Sequence, residues 1–353
     1  MPDRFLASGA YGCVYYPGYD CNGKEINNKE YITKLVLNNF STITEYSASE
    51  IIKKIPDYSR HFIIINKHCP IKNNRLKLMM KGCKIFDKEH EKKYVLLYSK
   101  YVNAIQLCDY ILDYRRVNKF MRVYFLLTEK LNVLTQHRIV HNDLHFGNIL
   151  FSLETSNLYI IDFGLAIIVD KFYDKGRLDL NYLKNCIFKF SPDWVWWSLD
   201  YHFLCYLLHN GSLNMDVILD TIDEYLSNKL FFIFDKEYIS FYKKESQAFF
   251  TKLADMTREE CVIYLLGFWK TWDYYKIGLH FLDFIKDELH YELPDLNKKL
   301  YLFIHPNPEK RPSLLQHRII NKQILSTHDI SSKKDYETKI EKTRLIESIS
   351  YKN

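Results

Sequence analysis

Glycine and proline are scarce in this chain, 11 and 9 among 353 residues. Its 8 cysteines are scattered, with no C-x-x-C pair and no spacing typical of a zinc site. A cysteine-built metal centre is therefore excluded, and reduced thiols in an intracellular protein are expected. No apolar run reaches the roughly 18–20 residues needed to cross a bilayer. The opening "MPDRFLASGAYGCVYY" lacks the basic start and apolar core of a signal peptide. A soluble, intracellular chain without a membrane partner is expected. The formal charge of +6 is mild for this length. It suits an acidic ligand such as a nucleotide and is too weak to argue for DNA or RNA binding. No internal repeat is present.

Asn, Lys, Ile, Tyr and Phe are abundant instead, a bias that points to an AT-rich genome. The length allows one large domain or two lobes with separate cores. The first hundred residues read as strands plus one helix. "GCVYYPGYDC", "KEYITKLVL" and "KKYVLLYSKYV" have strand character, and "STITEYSASEIIKKI" reads as a helix capped by Ser41 or Thr42. From about residue 104 helical periodicity takes over, most clearly in "VNKFMRVYFLLTEKLNVLTQH".

Two polar clusters stand out. "RIVHNDLHFGNILF" sets His141, Asp143, His145 and Asn148 between two apolar runs, and "NLYIIDFGLA" ends a strand at Asp162. Mg²⁺ takes oxygen ligands, so Asn148 and Asp162 are suitable donors. Asp143 is then free to orient a hydroxyl and accept its proton. Taken alone, H-x-D-x-x-x-x-N is equally a loop whose Asp and Asn cap turns. The D-F-G that follows gives the two clusters a joint mechanism.

Together these motifs resemble the protein kinases, with H-N-D-L-H-F-G-N in the place of that family's H-R-D loop. The resemblance covers about residues 6–320. It implies an α+β, bilobal fold, with a β-rich N-lobe over residues 1–102, a helical C-lobe over 103–320 and a charged tail or surface helix over 321–353. It also implies ATP with Mg²⁺ or Mn²⁺ and a protein substrate. "LASGAYGCVY" resembles the glycine-rich loop, which assigns Leu6, Ala7, Ser8, Gly9, Ala10, Tyr11, Gly12, Cys13 and Val14 to the nucleotide, with Ala7 in place of the first glycine. Lys34 in "YITKLV" resembles the phosphate-contacting lysine; Glu50 is its expected partner and Glu45 the competitor. Ser99 takes the gatekeeper position, with Lys100, Tyr101 and Val102 as the hinge. "SPDW" and "HPNPEKRPS" imply an Asp193–Arg311 ion pair, and Asp200 is expected to support the backbone of the catalytic loop. "WVWW" at 194–197 reads as core rather than as an aromatic substrate platform.

The chain departs from the family in ways that bear on function. Asn142 replaces the arginine that receives an activation-loop phosphate, and residues 165–190 contain no Ser or Thr. An activation segment ordered by packing is expected, with Tyr173 and Tyr182 as partly buried packing residues, and with activity intrinsic or set by a regulatory partner. His145 stands where serine/threonine kinases carry a lysine, within reach of the γ-phosphate, while His141 is expected to pack in the core. "DLHxGN" also occurs in antibiotic and choline kinases of the same general fold, which opens the acceptor class. In style the chain is most similar to the serine/threonine kinases of giant DNA viruses, which implies the host cytoplasm or the virion as its location. A pseudokinase binding module is the remaining alternative, and the presence of Lys34, Asp143, Asn148 and Asp162 weighs against it.

Overall fold

The computed structural model describes residues 5–8, 12–27, 29–71, 83, 94–113, 117–285 and 294–327. The strand-like stretches near the N-terminus form one antiparallel sheet of β1 (Phe5–Ser8), β2 (Gly12–Tyr15), β3 (Tyr31–Leu37), β4 (Ile65–Pro70) and β5 (Tyr94–Lys100), in the order β1-β2-β3-β5-β4. Along β3 the face carrying Thr33 and Leu35 is buried, while Ile32 and Lys34 on the opposite face are half-buried; Tyr31, on the first face, is exposed at the strand's start. Gly12 is fixed by packing: a Cβ there would lie 2.7 Å from the Leu35 carbonyl oxygen and 2.7 Å from a Val36 methyl.

One helix, α1 (Phe40–Ile52), meets this sheet through Tyr46, packed against Val36, Ile65, Val95 and Leu97, while Ala48 and Ile52 join the larger core. The Ser49 hydroxyl accepts from the Ile65 amide at 3.0 Å, which ties α1 to β4. Its cap is Asn39, whose side chain accepts from the Thr42 amide, and not Ser41 or Thr42.

Short strands follow: β6 (Ile105–Gln106), β7 (Ile139–Val140), β8 (Ile149–Ser152), β9 (Asn157–Ile160) and β10 (Ile167–Ile168). Apart from a short hairpin of Tyr173–Asp174 with Arg177–Leu178, the remainder of the described chain is mostly helical, comprising α2 (Leu107–Asp113), α3 (Val117–Gln136), α4 (Leu180–Cys186), α5 (Leu199–His209), α6 (Met215–Leu226), α7 (Lys236–Phe250), α8 (Arg258–Leu266), α9 (Trp269–Ile285), α10 (Pro294–Phe303) and α11 (Leu314–Thr327). This is the bilobal, kinase-like α+β fold. Helix α9 runs through the middle of the larger core, buried from Trp269 to Leu279 except Lys270. The part of the expected tail beyond residue 327 lies outside the described residues. None of the described helices is long and apolar enough to cross a membrane.

The expectation of reduced thiols is corrected in the sheet. Cys13 on β2 is bonded to Cys83, and Cys21 to Cys69 on β4. Partners 70 and 48 residues apart show no spacing signature; only the fold brings them together. Cys108, Cys186, Cys205 and Cys261 are free.

Candidate active site

Strand register assembles the site. Val14 of β2 faces Lys34 of β3, which faces Leu97 of β5, so the lysine projects from the centre of the sheet. Strands β8 and β9 pair antiparallel with Ile149 opposite Ile160. The Ile161 amide extends that pairing by donating to the Asn148 carbonyl at 3.0 Å. Asn148 and Asp162 are thereby carried at adjacent ends of one two-stranded ribbon.

Lys34 joins the two lobes. Its ammonium lies 3.0 Å from Asp162 Oδ2 and 3.3 Å from Glu45 Oε2. Glu50 is not its partner; it pairs with the half-buried Lys53 at the C-terminal end of α1. Burial opposes the charge on Lys34, but Glu45 and Asp162 outweigh it and hold the ammonium protonated. Burial likewise works against the Asp162 carboxylate, and Lys34 overcomes it, holding the group below the usual carboxylate range. Glu45 is the more deeply buried of the two acids; there burial wins over Lys34, and its pKa is pushed up to about 7. A second link runs from the start of α1: the Ser41 hydroxyl donates to the Gly164 carbonyl at 2.9 Å. A Cβ on Gly164 would sit 2.7 Å from that hydroxyl, so a side chain there would push Ser41 aside and break this link. Phe163 is buried against Phe62 and His141.

The catalytic-loop segment is held by its own side chains. His141 is fully buried; its Nδ1 accepts from the Asp143 amide at 3.3 Å, leaving Nε2–H to donate to the Ile161 carbonyl at 2.9 Å. Asn148 Nδ2 donates to the Asp143 carbonyl at 2.8 Å and to Asp143 Oδ2 at 3.3 Å. With its nitrogen so committed, Asn148 presents its amide oxygen as the donor for a cation. His145 caps the short 3₁₀ turn 146–148, its Nδ1 accepting from the Gly147 amide at 3.1 Å. Burial, together with the nearby His141 and Lys276, depresses its pKa, so it stays neutral with Nε2–H available.

Sequence reasoning missed a second layer. Asp273 on α9 accepts from both the His141 amide (2.6 Å) and the Asn142 amide (3.0 Å). Lys276, one turn on, donates to the Asn142 carbonyl. The expectation that Asp200 supports this backbone is corrected: Asp200 accepts from Trp272 Nε1 at 2.8 Å and pairs with Arg311 at 2.8 Å. The expected Asp193–Arg311 pair is absent, for Asp193 is exposed and accepts from Ser191. No sequence signal marks Asp273, which lies 130 residues beyond Asp143 in an aromatic helix.

Of the expected nucleotide loop, Leu6, Gly12, Cys13 and Val14 lie on β1 and β2, as do the backbones of Ala7 and Ser8, while Gly9, Ala10 and Tyr11 fall outside the described residues. At the expected hinge, Lys100 ends β5, and the Tyr101 amide donates to the Glu30 carbonyl at 2.7 Å while its ring stacks on Tyr16. Val102 follows on irregular backbone. In the 165–190 segment Phe172, Leu183, Cys186 and Ile187 are buried, and the Tyr182 hydroxyl accepts from the Ile168 amide at 2.7 Å. Tyr173, expected to be partly buried, is exposed. Within "WVWW", Val195 is buried, Trp194 is half exposed and Trp196 stacks on His280 at 3.9 Å between centroids.

An ammonium between two carboxylates, with Asp143 and an amide oxygen nearby, is a site with surplus negative charge and only oxygen donors for a metal. That donor set fits Mg²⁺, which is held by one or two protein oxygens together with substrate phosphates.

Residues 85–178 match the model of the phosphotransferase enzyme family. The chain is also similar to "Serine/threonine-protein kinase 1" of Heliothis zea nuclear polyhedrosis virus, with 28% identity over 149 residues, 38% of this chain and 54% of that protein. It thus spans about half the length of this curated relative. Fold and likenesses point the same way: the chain has a protein-kinase-like fold, and residues 85–178, which hold H-N-D-L-H-F-G-N and D-F-G, are similar to the phosphotransferase enzyme family.

Proposed function

We propose that this protein transfers the γ-phosphate of ATP to Ser or Thr hydroxyls of protein substrates. The observation that carries the reading is Lys34 held between Glu45 and Asp162, across the cleft from Asp143 and Asn148. Lys34 is placed to meet the phosphates, and Glu45 keeps its ammonium aimed. Asp143 orients the acceptor hydroxyl and takes its proton as the new P–O bond forms, while its hydrogen bond to Asn148 fixes the carboxylate. Asn148 and Asp162 are the residues to hold Mg²⁺ or Mn²⁺, which when bound neutralises charge on the transferring phosphoryl group. His145, neutral and donating through Nε2–H, is a ligand for the γ-phosphate. Residues 1–102 and 103–320 serve as the two lobes in this reading, with Lys100 to Val102 as the hinge and the β1–β2 loop over the phosphates.

A second reading, transfer to a small-molecule hydroxyl, is favoured by two observations. They are the match of residues 85–178 to the phosphotransferase enzyme family and the "DLHFGN" loop. The viral relative supports the protein-substrate reading, and with it a place in an infected cell or a virion. The 165–190 segment carries no Ser or Thr and is packed through Phe172, Leu183 and Ile187. We read the enzyme as active without phosphorylation of that segment, or as governed by a partner protein.

The test is transfer from radiolabelled Mg·ATP by the purified full chain to basic and acidic protein acceptors, and to aminoglycosides and choline, with Asp143→Asn in parallel. Label on Ser or Thr that vanishes in Asp143→Asn is the expected result. Label on the small molecules alone selects the second reading, and nucleotide binding without turnover overturns both in favour of a binding module.

A further inference from the structure

The catalytic loop lacks cations where the related family carries them, at Asn142 and at His145. A cation reaches the same peptide from elsewhere. Lys276 is 3% exposed, sits in the buried stretch of α9 (Trp269–Ile285) and donates to the Asn142 carbonyl. Its partner Asp273 is three residues back, on the same helical face, and accepts from the amides of His141 and Asn142. One residue, Asn142, is therefore gripped at its N–H by a carboxylate and at its C=O by an ammonium, which fixes the peptide units on both sides of it. The Trp197 indole adds a second bond to the same carbonyl at 3.4 Å, and the Asn142 side chain donates to the Tyr201 hydroxyl at 3.0 Å. Asn142 needs this hold, because it is in the left-handed region at φ 64°.

An unpaired ammonium in such a place is costly, and burial alone drives it toward neutrality. Asp273 and Asp143 supply the opposing charge, and the Trp197 ring lies 5.5 Å from the nitrogen. The carbonyl that Lys276 holds belongs to the peptide leading into Asp143, so the ammonium fixes the backbone at the proposed base.

We propose that Lys276 is a positioning residue for phosphoryl transfer. Its ammonium, delivered by α9 rather than by the loop, holds the Asn142 carbonyl, in the peptide that leads into Asp143, and serves as the loop's missing cation. The proposal rests on the reading of Asp143 as the catalytic base. It predicts a defect in orienting the acceptor hydroxyl and not in binding nucleotide.

The experiment compares Lys276→Met, which keeps the stem against Trp197 and removes the charge, with Ile277→Val, a matched change in the same core helix, and with Asp143→Asn. In the full chain Lys276→Met is expected to lower kcat by about tenfold or more, with KM for ATP held within about twofold, while Ile277→Val keeps both. Hydrogen exchange of the 141–144 amides is expected to quicken by about tenfold in Lys276→Met alone. A kcat for Lys276→Met within about twofold of the parent, in an enzyme that Asp143→Asn inactivates, overturns the proposal. If the parent transfers no phosphate, the functional reading has failed, and unchanged exchange in Lys276→Met overturns the clamp separately.

Discussion

Lys34 is bound to Glu45 at 3.3 Å, whereas Glu50, five residues on, turns away and pairs with Lys53. Glu45→Gln is expected to reduce kcat/KM at least about tenfold, because it removes a charged partner that aims the ammonium. Glu50→Gln should stay within about twofold, since exposed ion pairs contribute little. Steady-state kinetics on both variants decide the matter; equal losses would mean that the pairing seen here is not the working one.

The Asp200–Arg311 pair is buried on both sides, with side-chain exposures of 0% and 1%. Arg311 also donates to the His305 carbonyl at 2.8 Å and to Thr271 at 3.2 Å. Arg311→Met leaves a buried carboxylate without its cation, and about 3–5 kcal/mol of stability should be lost. Asp193→Asn, at an exposed acid, should change stability by about 0.5 kcal/mol or less. Urea unfolding of the two variants is the check, and similar midpoints would restore Asp193 as the partner.

Two disulfides brace the N-terminal sheet, the Cys13–Cys83 bond joining residues 70 apart. By the loop-closure estimate a crosslink of that span contributes about 4 kcal/mol. Alkylation of the native, unreduced protein after unfolding should therefore modify the 4 free cysteines only. Dithiothreitol should lower the melting temperature and loosen the sheet first. If all eight thiols alkylate without reductant, these bonds do not form in solution.

Acid should destabilise the fold through buried histidines. Burial holds His202 near a pKa of about 4 and His317 near about 3, against an ordinary 6.5. Below pH 6.5 the unfolded chain takes up protons that the folded chain refuses. Stability is thus complete above that value and is lost as pH falls toward 4, by about 1.4 kcal/mol per unit for each group. Glu45 acts in the opposite sense between its ordinary 4.5 and about 7, where the folded state holds the extra proton, and offsets part of the loss. Denaturant midpoints should be lower at pH 5 than at pH 7, and His317→Phe, whose ring can keep the stack on Tyr274, should flatten the slope. A profile unchanged by that variant would show that His317 does not titrate as described.

The contiguous parts of the site were legible in the sequence because their chemistry is local. Asp143, Asn148 and Asp162 lie within 20 residues, on loops bounded by apolar strands. The choice between Glu45 and Glu50 was not legible. Both lie on one helix, and only the way α1 turns toward β3 separates them. Asp273 and Lys276 were hidden for another reason: an aromatic helix over a hundred residues away reads as core, and it is core, with two charges embedded in it. The disulfides depend on which strands pair, and the Arg311 partner on how α5 and α9 meet, neither of which is written in spacing. Ser41 was assigned to capping, since nothing local reveals a bond to Gly164.

The contacts of Lys34 with Asp162 and of Ser41 with Gly164 have a consequence for how a ligand enters. Both span the cleft, and the first consumes charges on each side that a metal–nucleotide would use. On the proposed reading, binding would be an exchange of partners: Asp162 would turn from Lys34 to a cation, and Lys34 to phosphate. The number of ion pairs is about the same before and after. Affinity is set by the difference between two well-paired states, and the free site behaves as a closed circuit that a ligand must rewire.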